Sequence, residues 1–358
     1  MSSIPSETTT RAAADRLSTF CVYVLRAAGA DEPTADAAAS AMMHGSIHGV
    51  DSHGVRLLAH YAKAMQGGRV NGTPLLDLRR IKPGSALLDA DHAHGARATY
   101  AAMDHACDMA SETGIAAVGI RNSSHFGPAG AYTFQAARNR GMLALCVCNS
   151  DSFVRLHDGA TRFHGTNPIS VAVPSGEENP WLLDMATSAV PFNRVQLYRS
   201  LGTALPENIA SDSEGVDTAD PHAADMLAPL GGAFGFKGAG LGGVAEILSA
   251  VLTGMRLSPE IMPMGGPDFA TPREMGAFVL AIDPDGFVGA PIVREAMKRY
   301  LALLRESPAR PGLFVMAPGD REWAVAAKRR RNGVPLDPVT IEDFGRLSAE
   351  FGIPAPFD

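Results

Sequence analysis

A glycine-rich stretch in the second half of the chain, LGGAFGFKGAGLGG at residues 230–243, decides which α/β fold the sequence encodes. Its last six residues have the GxGxxG spacing of a Rossmann site, and Glu260 follows at about the distance of a ribose-binding acid. A Rossmann motif, however, follows directly on a buried strand within a βαβ unit, and here more glycines precede it. A P-loop is excluded because Lys237 is followed by Gly238 instead of Ser or Thr. The stretch therefore predicts a non-Rossmann fold.

The same stretch also suggests an anion site. We expect a flexible glycine loop followed by a helix over residues 241–253, whose positive end and the Lys237 ammonium would attract a phosphate or a carboxylate. The alternative is a glycine turn that packs closely against the core.

Apolar periodicity and turn residues predict that helices and strands alternate along the rest of the chain. Helices are predicted over residues 12–28, 35–45, 54–66, 97–113, 129–139, 241–253, 290–305 and 341–351. Strands are predicted over residues 85–88, 115–120, 143–148, 170–173, 181–183 and 278–282. Helices thus flank a strand-rich middle, which predicts a mixed α/β chain.

Composition narrows the class of protein. The chain has 358 residues, 46% of them hydrophobic, enough for one large or two interleaved domains. A net charge of −7 argues against nucleic acid or an anionic membrane as the main partner. The four cysteines form no zinc-type motif and favour a reduced, cytoplasmic protein. We expect no export signal in residues 1–17 and no transmembrane helix.

Four histidines lie close together in the sequence: His44, His48, His53 and His60. A helical His44/His48 pair could ligate zinc, but the Glu of an HExxH motif is absent, so we predict no metal site. In Asp51-Ser52-His53-Gly54, Ser52 can donate to a substrate oxyanion while His53 supplies a proton. The alternative is that Ser52 merely caps a helix.

A second cluster, Asn122-Ser123-Ser124-His125-Phe126-Gly127, follows the predicted strand 115–120. Polar residues at a strand exit are typical of ligand sites, and an imidazole can exchange a proton near neutral pH. His125 is therefore an acid/base candidate, although a lone histidine is more often structural. Two further loops are polar: one contains Thr166 and Asn167, and the other covers residues 184–188. Asp184 in the second loop could orient a histidine. Either loop could instead form an Asx turn or a helix cap.

Taken together, these motifs resemble the malate/L-lactate dehydrogenase family of the second type, which is unrelated to the Rossmann-fold malate and lactate dehydrogenases. That family includes reductases of 2-oxo acids, ureidoglycolate and diketogulonate dehydrogenases, and reductases of cyclic ketimines such as piperideine carboxylate. The segments that carry the resemblance are 51–54, 122–127, 165–168, 184–188, 231–241, 246–248 and 318–320.

The resemblance implies a largely antiparallel, NAD(P)-binding sheet domain over residues 76–287. It implies a helical domain built from both chain ends, residues 1–75 with 288–358, and a homodimer whose site lies near the interface. The cofactor is NAD or NADP, and the substrate is a small carboxylate.

By the same resemblance, His125 and His53 are the catalytic candidates, and Ser52, Arg56, Asn122 and Ser124 are expected to bind substrate. The positions expected to contact the cofactor are Asn149, Ser150, Thr166, Asn167, Asp184, Met185, Ala186, Thr187, Lys237, Gly238, Pro318 and Gly319.

The chain departs from the family pattern at two places. Leu57 stands where family members commonly have arginine, with Arg56 one position earlier. On an α-helix about 100° would separate these two side chains, which puts carboxylate binding by Arg56 in question. The usual PGE is here Pro318-Gly319-Asp320.

These observations favour hydride transfer between a nicotinamide and C2 of a small 2-oxo or 2-hydroxy acid. The alternative within the same chemistry is reduction of a cyclic or N-alkyl ketimine. A metal-dependent hydrolase and a non-catalytic metabolite-binding protein are the alternatives of other classes.

Overall fold

The computed structural model of the chain describes residues 10–357. Residues 1–9, which hold part of the segment where we expect no export signal, lie outside the described residues. Within 10–357 we find no helix with the length and apolarity needed to span a bilayer.

The described chain alternates helices and strands along its length. The helices are α1 (Ala14–Ala27), α2 (Glu32–His48), α3 (Leu58–Gln66), α4 (Gly95–Thr113), α5 (Gly130–Asn139), α6 (Phe192–Leu201), α7 (Phe236–Glu246), α8 (Ala290–Arg305), α9 (Asp320–Asn332) and α10 (Pro338–Phe351). The strands are β1 (Arg11–Ala12), β2 (Asp77–Lys82), β3 (Ser85–Asp89), β4 (Ile115–Ser123), β5 (Leu143–Cys148), β6 (Val154–Arg155), β7 (Arg162–His164), β8 (Ile169–Val173), β9 (Trp181–Met185), β10 (Ala210–Ser211), β11 (Met226–Leu227), β12 (Met275–Ile282) and β13 (Val334–Pro335).

A seven-stranded sheet in the order β2-β3-β4-β12-β5-β8-β9 forms the centre. Only β3 and β4 run parallel; the other neighbouring pairs are antiparallel. The prediction of a non-Rossmann, largely antiparallel sheet is therefore confirmed. β12 is central because it is apolar along its whole length, so burial on both faces stabilises it.

A second core joins the two ends of the chain. Buried side chains of α1, α2 and α3 pack with Phe344 and Leu347 of α10, and β1 pairs with β13. Asp31 begins α2 by accepting a hydrogen bond from the Thr34 N–H at 2.8 Å. The helical core thus draws on both ends of the chain, while the boundaries at residues 75 and 288 stay predictions.

The glycine-rich stretch does not form the flexible loop that we expected. Its second half belongs to α7, which begins at Phe236 and continues into a π-helical turn over Ile247–Val251. A Cβ atom on Gly238 would lie 2.2 Å from the carbonyl oxygen of Leu230, and one on Gly242 would lie 3.1 Å from Thr187 Oγ1. These two glycines allow α7 to pack closely against its neighbours, which is the alternative stated above.

Candidate active site

A cavity of about 730 Å³ opens where the segment after α2, the end of β4 and the loops after β5 and β9 meet. Seven residues predicted from the sequence line it: Ser52, His53, Arg56, His125, Ser150, Thr166 and Ala186. They come from separate parts of the chain, so the fold brings together the substrate and cofactor candidates of several motifs.

Close packing against α2 positions His53. Residues 51–53 and 55–57 form two 3-10 turns, and a Cβ atom on Gly54 would lie 2.2 Å from Ser46 Oγ. Ser46 Oγ accepts a hydrogen bond from the Val55 N–H at 2.9 Å, and Arg329 of α9 pairs with Asp51. The 51–57 segment is therefore held from two sides.

Each of the two cavity histidines has a hydroxyl group at its Nδ1 atom. Ser52 Oγ lies 2.8 Å from His53 Nδ1, so Ser52 contacts the imidazole and is not a helix cap. Tyr61 Oη lies 2.8 Å from His125 Nδ1. The two rings are stacked, with centroids 5.6 Å apart and planes 24° apart. With both Nδ1 atoms engaged, Nε2 is the atom that each histidine can offer to a ligand.

Burial keeps these histidines neutral. Loss of solvation lowers the pKa of His53 to about 4. Loss of solvation, and after it the charge on His53, holds the pKa of His125 well below its usual value. At pH 7 both imidazoles are neutral, so either can accept a proton at once.

The cavity contains one arginine without an internal partner. Arg162 also lines the cavity, but its Nη2 donates to Asp225 Oδ1 at 2.7 Å. Among the described residues Arg56 has no hydrogen bond or ion pair. Residues 55–57 form a 3-10 turn instead of an α-helical one, and Arg56 and Leu57 both line the cavity. Arg56 therefore lines the cavity, and its binding of a substrate carboxylate stays a prediction.

Several cofactor candidates lie behind the cavity wall. Glu246, a buried carboxylate, accepts hydrogen bonds from Asn149 Nδ2 at 3.2 Å, Asn167 Nδ2 at 2.8 Å and Ser258 Oγ at 2.6 Å. Thr187 Oγ1 donates to the Asn167 carbonyl at 3.1 Å. This network fixes the loops that carry the lining residues Thr166 and Ser258.

Other predicted residues do not line the cavity. Asp184 accepts a hydrogen bond from the Gly130 N–H at 2.9 Å and not from a histidine, and burial raises its pKa to about 6. Met185 lies beside it at the end of β9. Asn122 Nδ2 donates to Asp89 at 2.8 Å, and Ser124 Oγ donates to the Ala93 carbonyl at 3.0 Å.

The remaining cofactor candidates lie farther along the chain. Lys237 and Gly238 lie in the first turn of α7, and the Lys237 ammonium lies 5.4 Å from the centre of the Phe234 ring. The Pro318 carbonyl accepts from the Leu182 N–H at 3.2 Å, and Gly319, at φ +100°, packs on Trp323.

The His44/His48 pair is packed among aromatic rings. His48 lies edge-on to Trp323 at 5.2 Å, and His44 lies 5.3 Å from Phe134. In residues 10–357 no three His, Cys, Asp or Glu side chains are grouped so that they could hold a metal ion.

Sequence reasoning missed Tyr61, Glu246, Arg162 and the part of the cavity wall formed by residues 259–265. No local motif marks them, because each acts across a long separation in the sequence: 64 residues separate Tyr61 from His125. Glu246 belongs to a segment that carries the resemblance, but its role as an acceptor for three loops is visible only in the fold.

Two polar lining residues have the chemistry to hold a ribosyl nicotinamide. The lining residues Ser150 and Thr166 supply hydroxyl groups, and a Cβ atom on Gly165 would lie 2.2 Å from Ser150 Oγ. Behind the wall, the buried Oδ1 atoms of Asn149 and Asn167 have no hydrogen-bond partner.

Comparisons with known proteins identify the family. The sequence profile of the malate/L-lactate dehydrogenase family matches residues 12–344. The malate dehydrogenase of Pyrococcus abyssi (strain GE5 / Orsay) is 31% identical over 347 residues, which are 95% of this chain and 94% of that protein.

Two solved structures share the whole architecture. Malate dehydrogenase from Entamoeba histolytica superposes with a TM-score of 0.91 at 27% identity, over 98% of this chain and 100% of that one. The delta1-piperideine-2-carboxylate reductase from Pseudomonas syringae pv. tomato superposes with a TM-score of 0.82 at 26% identity, over 95% and 99%. The resemblance stated from the motifs is thus confirmed: this chain belongs to the malate/L-lactate dehydrogenase family and is an oxidoreductase.

Proposed function

We propose that the cavity interconverts a small 2-oxo acid and its 2-hydroxy acid, with NAD(H) or NADP(H) as the second substrate. One observation carries the proposal: two neutral histidines, each held at Nδ1 by a hydroxyl group, share a cavity with one unpartnered arginine.

Arg56 has the chemistry to hold the substrate carboxylate, since a guanidinium pairs with a carboxylate through two parallel hydrogen bonds. The bound substrate would then be oriented with its C2 oxygen toward a histidine. When bound, the nicotinamide supplies hydride to C2 in reduction and accepts it in oxidation.

His125 is the first candidate for proton transfer, and His53 is the second. In oxidation, Nε2 takes the hydroxyl proton while the Nδ1–H donates to Tyr61 Oη or Ser52 Oγ. In reduction, the imidazolium returns that proton from Nε2 to the C2 oxygen, so charge and protons balance. Tyr61 and Ser52 are positioning residues, because they fix which nitrogen faces the substrate.

Reduction of a cyclic or N-alkyl ketimine is the second candidate function. It is supported by the likeness to the piperideine carboxylate reductase and needs the same carboxylate anchor. An imine arrives already protonated more readily than a ketone, so that reaction would depend less on the histidines.

The test is a panel of 2-oxo acids and cyclic and N-methyl imines with NADH and NADPH, followed at the nicotinamide absorbance. Reduction of a 2-oxo acid supports the leading proposal, and reduction of imines alone supports the second. A protein that oxidises neither cofactor with any of them contradicts both.

We further propose a homodimer, formed through the outer face of α7 and the π-helical turn. Five exposed apolar side chains follow one another along it: Leu241, Val244, Ile247, Val251 and Leu252 are 41–62% exposed. A contiguous apolar face of this kind is typical of a subunit interface.

Light scattering tests the dimer. The V251E variant should elute as a monomer, because a charge in a buried apolar interface is unfavourable. V216E is the matched control, since Val216 is equally exposed, at 63%, but lies away from this face. A wild-type monomer, or a dimeric V251E protein, would contradict the proposal.

A cytoplasmic location is also proposed. Its support is that Cys21, Cys107, Cys146 and Cys148 are all buried and unpaired, as in a protein from a reducing compartment.

A further inference from the structure

The cavity wall formed by residues 259–265 is mainly apolar, unlike the side that carries His53 and His125. Its lining side chains include Pro259, Ile261, Pro263 and Met264, and Leu57 adds another apolar group. A substrate anchored at Arg56 and reacting beside His125 must place the rest of its carbon chain within these surroundings.

Two fully buried arginines hold this wall from behind. Arg69 Nη1 donates to the Met264 carbonyl at 3.1 Å and to the Pro263 carbonyl at 3.3 Å. Arg273 Nε donates to the Met262 carbonyl at 2.9 Å, and its Nη2 pairs with Asp151, whose Oδ2 accepts from the Met264 N–H at 3.0 Å. Both guanidiniums are only 2% exposed, so moving the wall would break several charge-assisted hydrogen bonds.

Every other charge on the cavity surface is already matched. Of the charged side chains among the described lining residues, Asp151 is paired with Arg273, and Arg162 is paired with Asp225. Arg162 also donates to the Asp225 carbonyl at 2.7 Å and lies over the Phe153 ring. Among the described lining residues, Arg56 is the one guanidinium whose charge is not already paired with a carboxylate.

We infer that this enzyme selects substrates with one carboxylate and an apolar remainder, in preference to dicarboxylates such as oxaloacetate and malate. A second carboxylate would have to lie against the 259–265 wall without a cation, or share the charge of Arg162 with Asp225. Either outcome leaves a charged group poorly compensated in the complex. This inference rests on the proposed function and names its substrate class.

The primary test compares kcat/KM for pyruvate, 2-oxobutyrate and 4-methyl-2-oxopentanoate with kcat/KM for oxaloacetate, using wild-type protein and both cofactors. The best apolar substrate should exceed oxaloacetate by roughly tenfold to a hundredfold, the range expected when a buried charged group is left unpaired. An oxaloacetate value equal to or above the others would overturn the inference and leave the proposed function standing. Failure of every oxo acid and imine would overturn the proposed function instead.

A variant tests the charge argument separately. D225N removes the negative charge that is paired with Arg162 without adding volume, so it should raise kcat/KM for oxaloacetate relative to the apolar substrates by several fold, on the order of one new ion pair. D217N is the matched control, because it frees Arg155, which hydrogen-bonds Asp217 at 2.6 Å but does not line this cavity. An unchanged substrate ratio in D225N, or an equal change in D217N, would refute the role of the Arg162–Asp225 pair.

Discussion

Two pairs of histidines, His44/His48 and His53/His125, have different surroundings. Burial lowers the pKa of all four. His44 and His48 are packed against Phe134 and Trp323. The other pair faces a cavity, with a hydroxyl group at each Nδ1 atom. A lowered pKa therefore does not identify a proton-transfer residue by itself; access to a ligand and a fixed tautomer do.

Replacing the histidines one at a time tests this difference between the two pairs, and we expect the largest effects there. H125N should lower the single-turnover rate of hydride transfer by about 10²- to 10⁴-fold, the usual contribution of general acid–base catalysis. H53N should match that loss if His53 shares the role, and should fall short of it if His53 only supports His125.

H44N is the control for these variants, because His44 lies outside the cavity lining and packs against Phe134. Its rate should stay within about threefold of wild type once folding has been checked by circular dichroism. An unchanged rate in both H125N and H53N would remove histidine acid–base catalysis from the account.

Substitution of Arg56 should have the next largest effect. R56Q should raise KM for a 2-oxo acid by roughly 10- to 100-fold, since a charge-assisted, bidentate pair is lost. R56K should restore part of that loss because it keeps the charge but not the planar fork. Steady-state kinetics distinguish these results, and equal KM values for all three proteins would assign the carboxylate to another group.

A Tyr61 variant tests whether the hydroxyl group at Nδ1 controls the protonation of His125. Y61F removes the oxygen that accepts from Nδ1–H of the His125 imidazolium, so it should lower kcat by about tenfold and lower the pKa of His125 further. Because reduction needs the protonated imidazole, its pH profile should shift toward lower pH.

Y100F is the matched control for Tyr61. Tyr100 is also a tyrosine whose pKa burial raises, but its ring contacts Tyr132 and not a cavity histidine. A Y61F profile that coincides with those of Y100F and wild type would show that the hydroxyl does not set the state of His125.

His94 gives the smallest expected effect, and it concerns stability. Burial lowers its pKa to about 3, so the unfolded chain binds a proton below pH 6.5 that the folded chain does not. Between pH 7 and pH 5.5 this histidine should therefore remove roughly 1 to 2 kcal/mol from the free energy of unfolding.

H94N tests that linkage by urea unfolding at several pH values. His94 Nδ1 accepts from the Ala96 N–H at the start of α4, and asparagine can keep this cap. The variant should lose less stability than wild type over the same pH range. Identical slopes would assign the acid sensitivity to other groups.

The sequence predicted those elements whose signals are local. The cap and proline at the start of α2 and the apolar runs of β5 and β12 are visible in the residues themselves. β2 was missed because it is an exposed, charged edge strand, and α9 because Ala326 alone is fully buried along its length. The glycine stretch misled because its composition suggests a loop, while close packing against Leu230 makes α7 a helix.

The residues of the candidate site also fall into those that local motifs predict and those that only the fold brings together. Ser52, His53 and His125 could be proposed from short motifs, because a strand exit or a glycine turn marks each of them. Tyr61, the Arg162–Asp225 pair and the two arginines behind the 259–265 wall depend on contacts between distant segments. No spacing rule within one sequence could have placed them.

The central claim is that this cavity transfers hydride to C2 of a 2-oxo acid, and isotope transfer tests it most directly. The protein would be given the best 2-oxo acid of the panel together with NADH or NADPH that carries deuterium at C4. We predict a 2-hydroxy acid with one deuterium at C2, detected by mass spectrometry and NMR, and a large loss of that product in H125N. A product without deuterium at C2, or no labelled product with either cofactor, would contradict the claim.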